Sequence, residues 1–385
     1  MEENVIKYPI GIQSFVNIRE GNYVYVDKTS IMHRLVTSGN YFFLSRPRRF
    51  GKSLLLSTLE AYFKGRRELF EGLEISRLES EWRSHPVLHM SLASYNPEND
   101  SSLADILNYQ FDKWEREYCI SNIYTDFSSR LRQIIENAHA VTGEKVVILI
   151  DEYDAPLVAH INDEPKYNSL RNLLKSIYVN LKDCDSHIRF AMLTGITRFS
   201  RMNIFSGLNN LNDISLDRKY GAICGITEEE LRDNFKPGIS MLGKELNVDS
   251  EGALELLKQN YDGYHFTASG PDIYNPFSLL LALDKRNIGA YWFVSGTPSF
   301  LVEAIRRSGR YLPDVSNILV DEITLIESDN YKYSLVPLLF KTGYLTIKDY
   351  NREDNIYSLG LPNREVRVAF KQLTNYCNPD KDKIA

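Results

Sequence analysis

Cysteine is scarce in this sequence, with four residues among 385. They stand far apart, at positions 119, 184, 224 and 377, and no CxxC pair or paired histidine spacing accompanies them. This spacing favours neither a disulfide framework nor a zinc site. We therefore expect the protein to work in a reducing, cytoplasmic environment.

Long apolar runs are also missing. The densest, VVILI at 146–150 and LLLAL at 279–283, fall well short of the roughly 18 apolar residues that a membrane helix needs. The first ten residues, MEENVIKYPI, carry acids where a signal peptide needs cations, and no apolar stretch follows them. We expect a soluble protein that is not exported and has no membrane partner.

Positive charge is not in excess either. The formal net charge is −6, which argues against a protein that grips nucleic acid by bulk charge. Residues 301–385 hold 12 Lys or Arg against 12 Asp or Glu, a balance of zero. A nucleic-acid partner therefore lacks support in this chain, and a protein partner or self-association is preferred for its C-terminal part.

Apolar runs alternate with helical patterns over the first 225 residues, which is typical of a parallel sheet with crossover helices. The pattern predicts an α/β core (1–225), a helical lid (226–290) and a winged-helix-like α+β region (291–385). Within the last region we expect a helix running into Gly343 and then two short strands. The predicted strands of the core are 41–45, 86–93, 145–152, 188–195 and 220–227, and its clearest helices are 53–65, 103–118 and 127–140.

The stretch RPRRFGKS (46–53) carries the strongest functional signal. It ends in the GKS of a phosphate-binding loop, and it lies between a predicted strand and a predicted helix, as such a loop requires. By itself GK[ST] is a weak signal, because a helix N-cap after a flexible glycine looks the same. About 100 residues later the apolar strand VVILI ends in Asp151 and Glu152, and the pair of motifs favours a nucleotide site.

Arg46 occupies the first motif position, where GxxxxGK[ST] has glycine. The phosphate is cradled mainly by N–H groups late in the loop and at the helix N-terminus. A side chain at the strand exit can therefore point outward, provided its backbone needs no positive φ. We expect a modified entrance at which Arg46, Arg48 and Arg49 add positive potential.

The chemistry assigns roles to the remaining residues. We expect the nucleotide to contact Arg49, Phe50, Gly51, Lys52, Ser53 and Leu54, with the Lys52 ammonium at the β- and γ-phosphates. Ser53 and Asp151 are the predicted Mg²⁺ ligands. Glu152 is the predicted general base for the attacking water, and Asp154 is a second choice.

Another polar cluster, LTGITRFSRMN (193–203), ends a further predicted strand. If that strand neighbours the acidic one, Thr194 would lie beside the γ-phosphate as a polar sensor, and Arg198 could reach transition-state charge. The simpler alternative, a turn with a solvated arginine, is equally compatible with the sequence.

Taken together, these motifs resemble the AAA-ATPase-like family of bacterial P-loop proteins. The resemblance rests on YPIGIQSFVNIREGNYVYVDKT (8–29), FLSRPRRFGKSLLLSTLEAYF, ILIDEYDAP, LTGITRFSRMNIFSGLNNLNDIS and YDGYHF…YNPFSLL, and it covers nearly the whole chain. It implies ATP and Mg²⁺ as cofactors, with RPRRFGKS as the Walker A loop and the acidic strand as Walker B. Members of the family often continue into a PD-(D/E)XK nuclease.

No Asp or Glu within 301–385 is followed two residues later by Lys, so we expect no such nuclease in this chain. The resemblance then implies a Mg²⁺-dependent ATPase that drives or gates a conformational change. The alternative is a nucleotide-gated binding module with little turnover, coupled to a partner or a nuclease.

Two weaker signals leave alternatives open. Tyr25 and Asp27 could contact the adenine, although a segment leading into a helix is the simpler interpretation. The aromatic segment YDGYHF (261–266) could close over the nucleotide, but a packed turn between lid helices is favoured.

Overall fold

The computed structural model describes residues 6–121, 123–197, 210–292, 299–308, 315, 318–326 and 335–376. These residues belong to two compact units. The lid unit comprises the described parts of Met1–Lys28, Arg46–Leu55 and Ser215–Ala385, and the sheet unit comprises those of Thr29–Ser45 and Leu56–Ile214.

The clearest predicted helices of the core, 53–65, 103–118 and 127–140, are present, whereas other helices, such as the one at 164–178, were not predicted. In chain order they are α1 Phe15–Glu20, α2 Thr29–Ser38, α3 Lys52–Phe63, α4 Ile75–Leu78, α5 Ser102–Glu117, α6 Phe127–Thr142, α7 Ala155–Ala159, α8 Glu164–Tyr178, α9 Asn180–Asp183, α10 Glu228–Asn234, α11 Lys236–Glu245, α12 Ser250–Tyr261, α13 Pro276–Lys285, α14 Ser299–Ser308, α15 Glu322–Ile326, α16 Val336–Thr342 and α17 Arg364–Tyr376. Among the described helices, none is long and apolar enough to cross a membrane.

The sheet unit contains a five-stranded parallel sheet. Its strands are β1 Tyr41–Ser45, β2 Val87–Ser91, β3 Val146–Asp151, β4 Ile188–Gly195 and β5 Asn212–Asp213, in the order β2-β3-β4-β1-β5. Every residue of β3 is buried, as expected for a parallel strand covered on both faces. The predicted α/β class is confirmed.

The register of the sheet brings the polar strand ends to one edge. Ser45 of β1 pairs with Gly195 of β4, and Ser91 of β2 pairs with Asp151 of β3. Because all strands run parallel, their carboxyl ends share this edge. Strand β4 lies directly beside β3. This is the arrangement that the predicted role of Thr194 requires.

The lid unit is built around α10 to α13. Their apolar faces form one core that includes Leu231, Ile239, Leu257 and Leu279. Thr227 is the N-cap of helix α10, and its side chain and that of Glu230 form a reciprocal capping box. Tyr8, Ile10, Val24 and Val26 of the N-terminal segment pack against the same core.

The C-terminal part of the lid unit adds a small antiparallel sheet. Helix α16 ends at Gly343, which has a φ of 87°, and the strands β7 Thr346–Asn351 and β8 Ile356–Gly360 follow it. Both features were predicted. Strand β6 Ile318–Asp321, which pairs with β8, was not.

The predicted strand at 220–227 is wrong. A 3-10 turn at Arg218–Tyr220 precedes this segment, Gly225 has a φ of 87°, and Ile226 forms only an isolated bridge to Tyr274. The fifth strand is Asn212–Asp213 instead. The apolar run is present because its side chains are buried, and burial alone does not distinguish a strand from a packed turn.

The domain boundaries at 225/226 and 290/291 stay a prediction. The compact units divide the chain elsewhere, since residues from Ser215 onward lie in the lid unit together with Arg46–Leu55.

Candidate nucleotide site

The phosphate loop spans residues 46–51, directly between the last residue of β1 and the first of α3. Its positive φ angles fall at Arg49 (71°) and Gly51 (98°). A Cβ added at Gly51 would meet no atom within 4 Å, so the backbone conformation, not space, requires glycine there. Within the described chain, no backbone carbonyl accepts from the N–H groups of residues 49–52. Such consecutive N–H groups at a helix N-terminus suit an anion.

Lys52 is the first residue of α3, directly after the loop. Its ammonium donates to the carbonyl oxygens of Arg46 at 3.0 Å and Pro47 at 3.2 Å, and the residue is only 5% exposed. The side chain thus folds back over the loop entrance rather than extending into solvent. The Lys52 ammonium, which is predicted to contact the phosphates, is therefore hydrogen-bonded to backbone carbonyls of the loop.

Arg46 does not line the entrance, and this expectation was wrong. The residue is 2% exposed, and its guanidinium donates to the carbonyl oxygens of Ser215 at 2.8 Å and Tyr220 at 3.3 Å. The guanidinium carbon also lies 4.3 Å from the centre of the Phe266 ring. A guanidinium can satisfy several backbone acceptors at once and stack on an aromatic face, so this arginine serves as an internal support.

Phe50 is a second buried support of the loop. Its ring packs edge-on against Tyr264 at 4.8 Å and Phe266 at 5.1 Å between ring centres. Its carbonyl oxygen accepts from Gly225 N at 3.0 Å. Because the side chain of Phe50 packs against these two rings, the predicted contact of this residue with the nucleotide would come from its backbone N–H group.

The remaining loop residues are more accessible. Arg49 is exposed, and its guanidinium carbon lies 4.7 Å from the centre of the Phe277 ring. Arg48, Ser53 and Leu54 are half-buried, the last two in the first turn of α3. Of the three arginines predicted to add positive potential at the loop, Arg49 is exposed, Arg48 is half-buried and Arg46 is buried.

In the sheet unit, Asp151 ends β3 and is held in place by two donors. Its Oδ1 accepts from Thr194 Oγ1 at 2.6 Å and from Glu152 N at 3.0 Å. Thr194 is fully buried on β4. The structure thus brings together two of the predicted site residues, and the hydroxyl fixes the orientation of the carboxylate.

Glu152 has a backbone φ of 48°, an uncommon conformation for a residue with a side chain. It remains half-buried, whereas its neighbours Asp151, Tyr153 and Asp154 are buried. Strain of this kind concentrates at functional sites. Of the three acids in the segment, Glu152 is the one that keeps access to solvent.

The carboxylate of Asp154 has a structural role. Its Oδ2 accepts from Ile196 N at 3.1 Å, Thr197 N at 2.6 Å and Thr197 Oγ1 at 2.6 Å. The residue is 2% exposed, and Tyr153 OH donates to the carbonyl oxygen of Thr197 at 3.0 Å beside it. The two side chains clamp the exit of β4, which weakens Asp154 as an alternative base.

The remaining candidates are Arg198, Tyr25 and the YDGYHF segment. Arg198 lies outside the described residues. Tyr25 packs its ring against Phe15 just before α2, as a segment leading into a helix would. Tyr264 and Phe266 of YDGYHF pack against Phe50 of the loop, a contact that no local sequence pattern indicates.

The comparisons with known proteins can now be placed beside this geometry. The model of the family described as Predicted AAA-ATPase matches residues 9–205. An uncharacterized protein in the vnfD 5′ region of Azotobacter chroococcum mcd 1 is 38% identical over 373 residues, covering 95% of this chain and 69% of that protein. The chain belongs to the predicted AAA-ATPase family.

Two solved structures from Aeropyrum pernix show a weaker likeness. The ORC1 protein in complex with DNA is 10% identical with a TM-score of 0.32, over 96% of this chain and 98% of that one. The ORC2 protein (ADPNP-ADP complexes) is 12% identical with a TM-score of 0.25, over 98% and 96%. Likeness at these scores supports no conclusion about this chain.

Proposed function

We propose that this protein binds ATP with Mg²⁺ and hydrolyses it. The observation that carries the proposal is the loop at 49–52, whose N–H groups meet no backbone acceptor in the described chain while a buried ammonium lies in the same loop. An anion with several oxygens, such as a phosphate chain, matches these donors. Membership of the predicted AAA-ATPase family supports the same function.

The residues fit a magnesium ion. Mg²⁺ prefers hydroxyl, carboxylate and phosphate oxygens, which Ser53 and Asp151 supply in part. When bound, Mg²⁺ would neutralise charge on the phosphate oxygens; that Ser53 and Asp151 are its ligands is proposed from the sequence motifs alone.

Hydrolysis needs a base for the attacking water. The water oxygen forms a bond to the γ-phosphorus while the bond to the β,γ-bridging oxygen breaks, and a carboxylate must accept the water's proton. We assign this role to Glu152 because it keeps solvent access and Asp154 does not. Thr194 orients Asp151, and its role as a γ-phosphate sensor stays a proposal, as does that of Arg198.

The proposal is tested by nucleotide binding to the full chain. Titration calorimetry with Mg-ATP should show saturable binding to the parent protein. Lys52→Ala should weaken this affinity by roughly 10²-fold, because it deletes a cation beside the phosphates. Lys285→Ala is the control for the loss of one cation, since Lys285 ends α13 and its ammonium lies over the ring of Tyr291. Equal affinity of parent and Lys52→Ala would remove the basis of the proposal.

A further inference from the structure

The first position of the phosphate loop is fixed by other parts of the lid unit. The Arg46 guanidinium reaches two carbonyl oxygens in the segment 215–220 and stacks on the ring of Phe266. Residues 215–220 and YDGYHF lie far away in sequence but are both held by this one side chain. An exposed charge that only attracts a ligand would need none of these contacts.

The same residue also controls where the loop's cation lies. The carbonyl oxygen of Arg46 accepts from Lys52 Nζ at 3.0 Å. The side chain of Arg46 is thus held by the segment 215–220, and its carbonyl oxygen contacts the Lys52 ammonium. Any shift of Arg46 would move an acceptor that Lys52 depends on.

We propose that Arg46 is a positioning residue for nucleotide binding, with Phe266 as its support. The buried guanidinium sets the entrance of the loop so that Lys52 and the N–H groups of 49–52 are arranged for phosphate before nucleotide arrives. This inference rests on the proposed function. It gives the YDGYHF segment a role as well, because two of its aromatic rings hold the loop, one through Arg46 and one through Phe50.

Glycine at position 46 would not improve nucleotide binding, although it is the usual residue there. Restoring glycine at position 46 would recreate the usual motif, but within this described stretch the positive φ angles belong to Arg49 and Gly51 rather than Arg46. Glycine would therefore relieve no strain and would remove the support. Arg46→Gly should bind nucleotide more weakly than the parent.

The experiment compares three variants of the full chain. Arg46→Met keeps the apolar length and deletes the guanidinium, and Arg46→Lys restores a cation that can reach one carbonyl. Arg189→Met is the matched control, because the Arg189 guanidinium also donates to a backbone carbonyl, that of Val36 at 3.2 Å, and lies over a phenyl ring, that of Phe63. Melting temperatures set a measuring temperature at which all variants are folded.

Two readouts separate positioning from general stability. The first is the Mg-ADP dissociation constant by calorimetry. The second needs no nucleotide: the rate at which an amine-acetylating reagent modifies Lys52, followed by mass spectrometry. The Arg189→Met control reports how far a loss of stability alone moves each readout.

We expect Arg46→Met to weaken Mg-ADP binding at least roughly tenfold, since small displacements at a phosphate site are costly. Lys52 should be acetylated several-fold faster, Arg46→Lys should recover part of both changes, and Arg189→Met should leave both at the parental values. Parental affinity and parental acetylation in Arg46→Met, or equal changes in Arg189→Met, would overturn the inference.

Failure of the inference can be told apart from failure of the proposed function. A parent that binds Mg-ADP through Lys52, beside an Arg46→Met that binds equally well, overturns the positioning role alone. A parent that binds no nucleotide overturns both.

Discussion

The phosphate loop of the lid unit and the acidic strand end of the sheet unit hold their charges in the same way. In each region the most deeply buried charge, Arg46 in one and Asp154 in the other, is tied to backbone groups. A neighbour with more solvent access, Arg49 or Glu152, stands beside it. A buried charge that is hydrogen-bonded to the backbone stabilises one local conformation, and its neighbour keeps access to solvent. Charge alone therefore does not identify the reactive residue.

A third buried charge extends the comparison. Glu365 Oε1 accepts from Tyr291 N at 2.6 Å, Trp292 N at 2.8 Å and Ser278 Oγ at 3.1 Å. Like Asp154, it joins separate segments of its own unit through N–H and hydroxyl donors. Burial raises the pKa of Glu365 to about 7.

The largest effect on stability should come from Asp154. Asp154→Ala leaves the N–H groups of Ile196 and Thr197 without their acceptor, and we expect the free energy of unfolding to fall by about 3 kcal/mol. Glu152→Ala should change it by less than about 1 kcal/mol, because the side chain is half-buried. Urea unfolding measures both. A stable but inactive Asp154→Ala would instead move the base role to Asp154.

The next effect is a pH dependence in the lid unit. Glu365 has a pKa of about 7 in the folded protein against an ordinary value of 4.5, so folding takes up a proton between these values. The stability contributed is present below pH 4.5 and is lost as pH rises through about 7. The total is on the order of 3 kcal/mol.

Glu365→Gln keeps an acceptor oxygen and has no charge to titrate. The difference in unfolding free energy between this variant and the parent should therefore change with pH between 5 and 8, in favour of the variant at the higher value. Asp262→Asn is a second test, since burial also raises the pKa of Asp262, to about 6, and its difference from the parent should change with pH in the same sense over a lower range. A parent-minus-variant difference that stays flat with pH would exclude the buried-acid account of Glu365.

The strands and helices could largely be predicted because periodicity follows burial directly. The run VVILI forms β3, and Thr227 and Glu230 form their capping box. The segment 220–227 was mistaken because buried turns and buried strands share an apolar composition. Arg46 was misjudged because its partners, Ser215, Tyr220 and Phe266, are more than 160 positions away. Long-range contacts of this kind leave no local pattern.

The smallest predicted effect distinguishes charge from hydrogen bonding at the acidic strand end. Asp151→Asn keeps an oxygen that can accept from Thr194 Oγ1 and Glu152 N, so the fold should be little changed. The loss of negative charge should reduce the gain in ADP affinity on adding Mg²⁺ by about tenfold, or about 1.4 kcal/mol. Calorimetry with and without Mg²⁺ measures it, and an undiminished Mg²⁺ effect would show that Asp151 does not hold the metal.

The central claim, a Mg²⁺-dependent ATPase with Glu152 as its base, is tested most directly by steady-state phosphate release from the purified chain. We expect release from ATP that requires Mg²⁺, and a Glu152→Gln variant that binds Mg-ATP as tightly as the parent but releases phosphate roughly 10²-fold more slowly. A parent that binds Mg-ATP without releasing phosphate, or a Glu152→Gln variant that turns over at the parental rate, would contradict the account.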